Sequence, residues 1–534
     1  MRLNDRELAE GGRWEGAGIA LPGFDRPAMI AATERAPEWV HFGAGNIFRA
    51  FPAALAQSLL ERGLCENGVV VAEGYDGEII ERCFAPLDNL TLLVTLKADG
   101  STEKKVIASV ASAHRMDGGL DLLRGIFAKP SLRMASFTIT EKGYARKGGD
   151  GRFLPGVGED MEAGPAAPVS YLGRVAALCH ARYVAGAAPI ALVSMDNCSH
   201  NGDILSAAVE AFAAAWADAG VAEPGFLAYV RDRKKVSFPW TMIDKITPRP
   251  DDDVRDMLAS LGLEGMSGVV SEKNTFAAPF VNAEETQYLV VEDAFPNGRP
   301  PLEKAGVLFC DRETVDRVER MKVCTCLNPL HTALAVFGCL LGYTRISEQM
   351  KNDDLAALVR GVGYREGLPV VTDPGVISPR EFIDTVIGVR LPNPFMPDSP
   401  QRIAMDTSQK VGIRFGVTIR AYAESTALST GSLVLIPLVL AAWLRYLLGV
   451  DDAGAKFDLS PDPMLPALTA RLSGIGLGSS GPFTDALRPI LSDEKIFGID
   501  LYRAGLGERI EGYFGELVRG PGAVAATLGK YVSR

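Results

Sequence analysis

A short apolar run that ends in two closely spaced glycines constrains the fold of this chain more than any other feature. Residues 39–42 (WVHF) are predicted to form a strand, the turn 43–45 (GAG) follows at once, and residues 47–64 have the periodicity of a helix. A second apolar run, residues 68–72 (GVVVA), predicts the next strand. Strand, glycine turn, helix and strand make a βαβ unit, so we expect parallel strands joined by right-handed crossovers.

The glycine turn has the sequence context of a dinucleotide-binding loop. Glycines allow a tight turn and let a pyrophosphate approach the backbone, where the N-terminus of the next helix stabilises its charge. Phe48 stands where the third glycine of the G-x-G-x-x-G pattern is expected, so the pattern alone is weak evidence. The residues predicted to line a NAD site in this segment are Gly43, Gly45, Asn46, Ile47, Phe48 and Arg49.

Two acids, Glu73 and Asp76, follow the second predicted strand. In a dinucleotide-binding unit, an acid at this place binds the ribose hydroxyls. Its charge would repel a 2′-phosphate, so both residues favour NAD over NADP. Which of the two binds the ribose stays open, and both could instead be solvated loop residues.

The chain has 534 residues, more than one hydrophobic core usually supports, so at least two domains are expected. Strand and helix patterns alternate up to about residue 300, and long helical patterns dominate beyond it. We therefore predict an α/β, Rossmann-like domain with a mainly parallel sheet over residues 1–305. A mostly α-helical domain is predicted over residues 306–534.

The composition excludes several classes of protein. An apolar fraction of 47% and a charged fraction of 23% indicate a globular chain rather than a disordered one. The net charge of −11 argues against a nucleic-acid partner. The longest apolar run, residues 433–444, is shorter than the roughly 20 residues of a membrane span, and the N-terminus lacks the apolar segment of a signal peptide. Scattered cysteines favour a reducing compartment, so a cytoplasmic location without a membrane partner is expected.

Cys324, Cys326 and His331 are close enough in sequence to suggest a metal site. The second pair of ligands that a zinc site needs at the usual spacing is missing, so no metal is predicted.

Further segments combine polar residues with apolar strands or helices in a fixed order. They are residues 138–144 (TITEKGY), 196–202 (DNCSHNG), 244–248 (DKITP), 319–331 (ERMKVCTCLNPLH), 393–394 (NP) and 402–410 (RIAMDTSQK). With the glycine turn, these motifs resemble those of the polyol-specific long-chain dehydrogenase/reductase family, which includes mannitol 2-dehydrogenase and the hexuronate reductases. The resemblance runs from about residue 36 to about residue 450.

This resemblance implies metal-independent hydride transfer with NAD and a lysine as general acid/base. The lysine would be Lys322, with Glu319 as a candidate proton relay and His331 orienting the substrate and supporting the lysine. Asn197 and Asn328 would donate hydrogen bonds to the reacting oxygen, and amide donors aimed at a developing oxyanion typically contribute about 3 kcal/mol each. A lysine withdrawn from water becomes able to accept a proton near neutral pH, which suits the oxidation of an alcohol.

The same resemblance implies further ligands. Asp244 would bind substrate hydroxyls, and Thr140 and Glu141 would join the cofactor site. Arg402 and Lys410 would pair with a substrate carboxylate, the arginine bidentately, unless both are surface charges.

The finer likeness, in residues 321–330, is to enzymes that interconvert D-mannonate and D-fructuronate. A mannitol 2-dehydrogenase, a tagaturonate reductase and a non-catalytic NAD-binding sensor remain alternatives, and the oligomeric state stays open.

One departure from the family pattern concerns a spacing. The family's lysine usually precedes the asparagine by five positions, but Lys322 precedes Asn328 by six. On a continuous α-helix, at about 100° per residue, Lys322 and His331 would lie on opposite faces and could not share a pocket. Because proline is favoured in the first turn of a helix, Pro329 predicts that a helix begins near Asn328. Lys322 would then lie on a preceding segment, where a bulge or a loop absorbs the extra residue.

Overall fold

The computed structural model describes residues 1–533 and divides the chain into two units. Unit 1 consists of Met1–Lys97 and Ser101–Asp316, and unit 2 consists of Ala98–Gly100 and the chain from Arg317 onward. Unit 1 is α/β and unit 2 is helical, which confirms the predicted fold class. The predicted boundary after residue 305 lies shortly before the division after Asp316.

Within residues 1–533, all strands belong to unit 1. They are β1 (Ile19–Ala20), β2 (Trp39–Phe42), β3 (Val69–Glu73), β4 (Thr91–Leu96), β5 (Thr102–Ile107), β6 (Val110–Arg115), β7 (Met134–Phe137), β8 (Ile190–Ser194), β9 (Val236–Ser237), β10 (Thr241–Asp244), β11 (Val269–Val270), β12 (Phe276–Ala277), β13 (Phe280–Glu284), β14 (Tyr288–Glu292) and β15 (Leu308–Cys310).

Six parallel strands form the central sheet in the order β6-β3-β2-β7-β8-β9. The chain winds outward from β2 to β6, returns to β7 beside β2, and winds outward again to β9. This is the doubly wound order of the Rossmann fold, and ligands of such sheets bind beyond the carboxyl ends of the strands at the switch point. Here that point lies between β2 and β7.

Three smaller sheets complete unit 1. Strands β1, β5, β4 and β13 form one, in which β4 runs antiparallel to β5 and parallel to β13. Strand β14 lies between an antiparallel β10 and a parallel β15, and β11 pairs with β12.

The helices of unit 1 cover both faces of the central sheet. They are α1 (Asp5–Leu8), α2 (Gly11–Gly16), α3 (Arg26–Arg35), α4 (Asn46–Ala50), α5 (Pro52–Glu61), α6 (Glu78–Cys83), α7 (Met116–Ala128), α8 (Thr140–Gly143), α9 (Val157–Ala163), α10 (Tyr171–Val184), α11 (Asn201–Asp218), α12 (Gly225–Arg231) and α13 (Asp252–Ser260). Val40 and Phe42 of β2 pack in the same core as α7, α10 and α11, whereas Trp39 packs in the core that includes α5. Burial on both faces explains why β2, β3, β7 and β8 are mostly apolar.

Unit 2 consists of helices, several of which contain a π-helical turn. After α14 (Arg312–Met321), which spans the division, the helices are α15 (Asn328–Leu340), α16 (Ile346–Gln349), α17 (Asp353–Arg360), α18 (Pro379–Thr385), α19 (Pro400–Ile403), α20 (Val417–Glu424), α21 (Leu435–Tyr446), α22 (Leu465–Leu472), α23 (Thr484–Leu491), α24 (Glu494–Phe497), α25 (Gly507–Leu517) and α26 (Ala523–Val532). The π-helical turns are Lys322–Cys326, Gly361–Gly367, Val386–Arg390 and Gly412–Gly416. Such turns are rare and are frequent at functional sites.

The helical run Arg312–Leu340 has the length and composition of a membrane span, with 29 residues and a mean hydropathy of 1.5 in its most apolar window. However, 83% of that window is buried inside the protein. A core helix gives the same signal.

Candidate functional site

The glycine turn lies at the switch point of the central sheet. Gly43 has a φ of +107°, and a Cβ atom there would lie 2.4 Å from the carbonyl oxygen of Thr138, at the end of the neighbouring strand β7. Gly45, by contrast, faces open space, because nothing lies within 4 Å of a Cβ atom placed there. The first glycine therefore allows two loops to pack together, and the second leaves room for a ligand at the backbone.

The helix predicted over residues 47–64 is interrupted. Helix α4 ends at Ala50, Phe51 has φ −128° and ψ −72°, and α5 begins with Pro52. Proline favours the first turn of a new helix, which explains the break. Helix α4 therefore has only five residues, but the N–H groups of its first turn have no partner within the helix, and their binding of a pyrophosphate stays a prediction.

Two predicted cofactor ligands lie in the interior instead. Phe48 is fully buried and stacks on His41, with 4.1 Å between ring centroids. Arg49 is also buried, and it donates hydrogen bonds to the carbonyl of Ala278 at 2.7 Å and to Oδ1 of Asn46 at 2.8 Å. Burial lowers the pKa of Arg49 to about 10. Both side chains pack beneath the turn, so a contact of these two residues with the cofactor would be made by their backbone, and that contact stays a prediction.

Both acids predicted to bind the ribose, Glu73 and Asp76, are buried, and Glu73 also supports the glycine turn. Glu73 is buried at the end of β3, and its carboxylate accepts hydrogen bonds from the backbone N–H groups of Ala44 (2.8 Å), Tyr75 (2.7 Å) and Asp76 (3.0 Å). Asp76 is buried and accepts a hydrogen bond from the hydroxyl of Ser271 at 2.5 Å. Neither acid is a solvated loop residue. Their role toward a ribose stays a prediction, as does that of the partly buried Ile47.

The loop after β7 is tied to the loop after β8 by one carboxylate. Asp196 accepts hydrogen bonds from the N–H groups of Ile139 and Thr140, both at 2.9 Å, and from the hydroxyl of Tyr144 at 2.6 Å. These bonds hold Thr140 at a φ of +63°, and leave Thr140 and Glu141 exposed beyond the sheet edge. The predicted cofactor contacts of this pair are therefore sterically available.

An unsatisfied hydroxyl lies at the same edge of the sheet. The Oη atom of Tyr171 is buried and has no hydrogen-bond partner. Burial, followed by the nearby charges of Glu73 and Asp196, raises the pKa of Tyr171 well above its usual value. A neutral donor with no protein acceptor, together with the open space at Gly45, fits a polar ligand such as a dinucleotide.

The two remaining site residues of unit 1 lie in different surroundings. Asn197 is exposed in the turn that follows β8, whereas Asp244 is buried as the last residue of β10. Between them, the buried amide of Asn201 exchanges hydrogen bonds with Thr241, including N–H of Thr241 to Oδ1 at 3.0 Å and Nδ2 to the Thr241 hydroxyl at 2.9 Å. Asn201 therefore connects the segment of Asn197 to the strand of Asp244.

In unit 2, the predicted helix start at Asn328 is confirmed. Leu327 has φ −128° and ψ −63°, α15 begins at Asn328, and Pro329 lies in its first turn. The preceding turn is π-helical, with the N–H of Leu327 donating to the carbonyl of Lys322 at 3.0 Å, five residues back. This wider turn accommodates the extra residue, and it places Lys322 in the interior with 4% of its surface exposed.

His331 and Arg402 approach the same buried acid. Asp398 lies with Oδ2 4.0 Å from Nε2 of His331, and its Oδ1 forms an ion pair with Arg402. Arg402 is otherwise exposed, with 64% of its side chain accessible. Asp398 compensates its charge, which weakens the electrostatic reason for a substrate carboxylate to bind there, and that role of Arg402 stays a prediction.

Lys410 lies beside a second arginine. Its ammonium group donates to the carbonyl of Met405 at 2.6 Å, and burial together with the charge of Arg414 lowers the pKa of Lys410. Arg414 donates to the hydroxyl of Thr332 at 2.6 Å, and Thr332 donates to the carbonyl of Asn328 at 2.9 Å. This chain of hydrogen bonds connects Arg414 to the start of α15.

The cysteines of the π-helical turn are buried thiols. Burial raises the pKa of Cys326 to about 12, which keeps its sulfur protonated and a poor metal ligand. No cluster of three potential ligands among His, Cys, Asp and Glu occurs within residues 1–533. That no metal takes part in the reaction remains a prediction.

Comparison with known proteins assigns both parts of the chain. Residues 37–304 match the model of the mannitol dehydrogenase Rossmann domain, and residues 314–512 match that of the mannitol dehydrogenase C-terminal domain. The chain belongs to the mannitol dehydrogenase family. The predicted family and the predicted enzyme class, a dehydrogenase, are thereby confirmed.

Relatives within the mannitol dehydrogenase family align over most of the chain. A D-mannonate oxidoreductase of Thermotoga maritima is 50% identical over 100% of this chain and 99% of its own length. The D-mannonate oxidoreductase of Escherichia coli is 31% identical over 88% of this chain and 92% of its own. The structure of Pseudomonas fluorescens mannitol 2-dehydrogenase in a ternary complex with NAD and D-mannitol has a TM-score of 0.70 and 27% identity, and each chain is covered completely.

Two positions of this mannitol dehydrogenase family member were missed by sequence reasoning. Asp196 and Asp398 are buried acids that hold predicted site residues in place. Asp196 had a signal, since it begins the motif of residues 196–202 and lies two residues after the end of strand β8. Asp398 had no signal beyond its place between two short motifs. Its role depends on contacts with His331 and Arg402, which form only in the folded protein.

Proposed function

We propose that this protein is a NAD-dependent oxidoreductase that interconverts D-mannonate and D-fructuronate. The observation that carries the proposal is the buried Lys322, held by a π-helical turn directly before the helix that begins with Asn328. The substrate follows from the relative in Thermotoga maritima, which is named D-mannonate oxidoreductase and is 50% identical over the whole chain.

Unit 1 would hold the dinucleotide at the switch point of its sheet. The backbone at Gly45 would approach the pyrophosphate, and the hydroxyl of Tyr171 would donate to a polar group of the cofactor. Glu73 fixes the glycine turn through Ala44, so it would act on the cofactor through the shape of that turn. When bound, NAD accepts or returns the hydride of the reaction.

Unit 2 would supply the proton chemistry. Oxidation of a secondary alcohol requires that its hydroxyl proton be removed while hydride leaves, and Lys322 would take that proton. Asn328, and Asn197 of unit 1, would donate hydrogen bonds to the oxygen as it changes from alcohol to carbonyl. His331, held beside Asp398, would orient the substrate hydroxyls.

Glu319 would exchange the proton of Lys322 with solvent. It lies on α14, one helical turn before the lysine, and is partly exposed. A carboxylate between a buried amine and water can pass a proton in either direction, as a reversible oxidoreductase needs.

Mannitol oxidation is the second candidate. The solved structure with D-mannitol covers the whole chain, and a mannitol 2-dehydrogenase of Pyrenophora tritici-repentis is 30% identical over 86% of this chain. These likenesses are weaker than the likeness to the D-mannonate oxidoreductase at 50% identity. We therefore rank a sugar acid first. The cytoplasmic location expected from the scattered cysteines is part of the same proposal.

A panel of substrates tests the proposed function. Purified protein is mixed with NADH and with D-fructuronate, D-tagaturonate or D-fructose, and NADH oxidation is followed by absorbance. We expect kcat/KM for fructuronate to exceed that for fructose by about 100-fold or more, an energy difference of about 2.7 kcal/mol. Equal or faster turnover of fructose would contradict the assignment, and no turnover of any of them would favour a non-catalytic sensor.

A further inference from the structure

Besides Lys322, unit 2 carries three cations around the start of α15, and two of these three are already engaged by the protein. Arg402 forms an ion pair with the buried Asp398. Lys410 donates to the carbonyl of Met405, and the charges of Asp406 and Asp462 also act on it. The third cation, Arg414, differs from both.

Arg414 has no acidic partner in the part of the chain that the structure describes. Its hydrogen bond is to a neutral hydroxyl, that of Thr332, at 2.6 Å. Burial is the cause that lowers the pKa of Arg414 to about 10, with no carboxylate acting on it. A guanidinium has five N–H donors in a planar fork, so one hydroxyl leaves most of them for another acceptor.

The backbone holds Arg414 firmly in this place. It lies at the centre of the π-helical turn Gly412–Gly416, which packs against the π-helical turn of Lys322. A Cβ atom at Gly416 would lie 1.8 Å from the carbonyl oxygen of Phe497, so the turn is pressed directly onto that backbone. Thr332, which receives the guanidinium, follows His331 and lies one helical turn after Asn328.

Two partly buried cations side by side lower the stability of the protein unless an anion binds to them. Arg414 and Lys410 repel each other, and each loses hydration by burial. A carboxylate between them would offset both costs, and an arginine fork can bind a carboxylate through two parallel hydrogen bonds. Arg402 gains less from a further carboxylate, because Asp398 already compensates its charge.

We infer that Arg414, with Lys410 beside it, binds the carboxylate of the substrate and selects a sugar acid over a neutral polyol. This inference rests on the proposed function and assigns the recognition of the acid to a residue that the family motifs did not single out. The carboxylate of D-mannonate lies several bonds from the reacting carbon, so a residue beside α15, rather than one at the reacting oxygen, would bind it.

The variant Arg414→Met removes the charge and keeps much of the apolar stem. Oxidation of D-mannonate is compared with that of D-mannonamide, a neutral molecule of nearly the same shape, at saturating NAD. We expect kcat/KM for mannonate to fall about 100-fold, mainly through KM, and kcat/KM for mannonamide to change less than about threefold. The preference for the acid over the amide should therefore collapse.

Controls separate charge recognition from general damage. Arg471→Met removes an exposed arginine of α22 and should leave the preference for the acid unchanged. Arg414→Lys keeps the charge without the fork and should keep part of the preference, which provides a second reading if the methionine variant folds poorly. Titration of D-mannonate into the Arg414→Met protein in the presence of NADH should show a similar loss of affinity.

The outcomes distinguish the inference from the proposed function. If the unaltered protein does not oxidise mannonate at all, the proposed function fails. If it oxidises mannonate but Arg414→Met lowers activity equally on mannonate and mannonamide, Arg414 is a structural residue and the inference is overturned. Unchanged affinity for mannonate in the variant would overturn it as well.

Discussion

At the scale of single residues, one buried histidine makes the stability of the protein depend on pH. It lies in the central sheet, near the edge where the cofactor is proposed to bind. His41 lies between the hydroxyls of Ser136 (2.6 Å from Nδ1) and Thr138 (2.9 Å from Nε2), and it is fully buried. Desolvation by burial lowers the pKa of His41 to about 3. An unfolded chain binds a proton at this histidine below about pH 6.5, whereas the folded chain does not until about pH 3. Folding stability from this group is therefore complete above about pH 6.5 and is lost as pH falls toward 3.

The variant His41→Gln tests this linkage. Glutamine can hydrogen-bond to the same hydroxyls but does not titrate. As the pH is lowered from 7 to 4.5, the melting temperature of the variant should therefore fall less steeply than that of the unaltered protein. The histidine alone contributes a slope of up to about 1.4 kcal/mol per pH unit in that window. Melting curves of both proteins across this range decide the matter, and parallel curves would show that His41 does not control acid stability.

Asp196 is a second residue whose effect should reach the cofactor. In Asp196→Asn an amide group replaces one carboxylate oxygen, so one of the N–H groups of Ile139 and Thr140 faces another donor. An unsatisfied buried donor costs about 1–3 kcal/mol of folding free energy. We expect a lower melting temperature and a Kd for NADH raised about tenfold, or about 1.4 kcal/mol, in a fluorescence titration. Unchanged NADH affinity would show that this loop does not shape the cofactor site.

At the scale of elements, a π-helical turn provides the bulge that the spacing of Lys322 and Asn328 predicted. A π-helical turn adds one residue without ending the helical run, so the extra position between Lys322 and Asn328 does not displace the lysine to solvent. Pro329 was sufficient to predict where α15 begins. The kind of turn before it depends on packing in unit 2, which sequence pattern does not report.

The π-helical turn of Arg414 can be tested through Gly416. A methyl group in Gly416→Ala would lie 1.8 Å from the carbonyl oxygen of Phe497, so the turn must move away from α24. Overpacking of this kind costs about 1–3 kcal/mol. We expect a lower melting temperature and a higher KM for mannonate, whereas Gly388→Ala, where a Cβ atom meets nothing within 4 Å, should behave like the unaltered protein. Equal behaviour of the two variants would contradict the close approach.

Prediction from sequence succeeded where local rules decide the structure. Strand β2, the turn at Gly43 and the alternation of strands and helices follow from apolar periodicity and from the conformational freedom of glycine. The burial of the Arg49 side chain was not predicted, because a sequence pattern does not say which side chains point into the interior. The same limit hid Asp398, whose partners His331 and Arg402 come together only in the folded unit.

At the scale of the whole molecule, the net charge of the protein has the same sign as the charge of its proposed ligands. The chain carries a net charge of −11, yet a dinucleotide and a sugar acid are both anions. In the proposed function, binding would therefore depend on local groups, which are backbone N–H groups near Gly45 in unit 1 and Arg414 with Lys410 in unit 2. The proposal thus gives the two units separate roles, with cofactor binding in unit 1 and proton chemistry with substrate recognition in unit 2.

The variant Lys322→Ala tests this division of roles most directly. Turnover of D-fructuronate with NADH and the Kd for NADH are measured on the same preparation, with Lys351→Ala, an exposed lysine, as the matched control. Loss of a general acid/base typically lowers the rate about 10²–10⁴-fold, so we expect kcat to fall by that factor while NADH binding stays unchanged. A Lys322→Ala protein that keeps its kcat would remove Lys322 from the reaction and contradict the account.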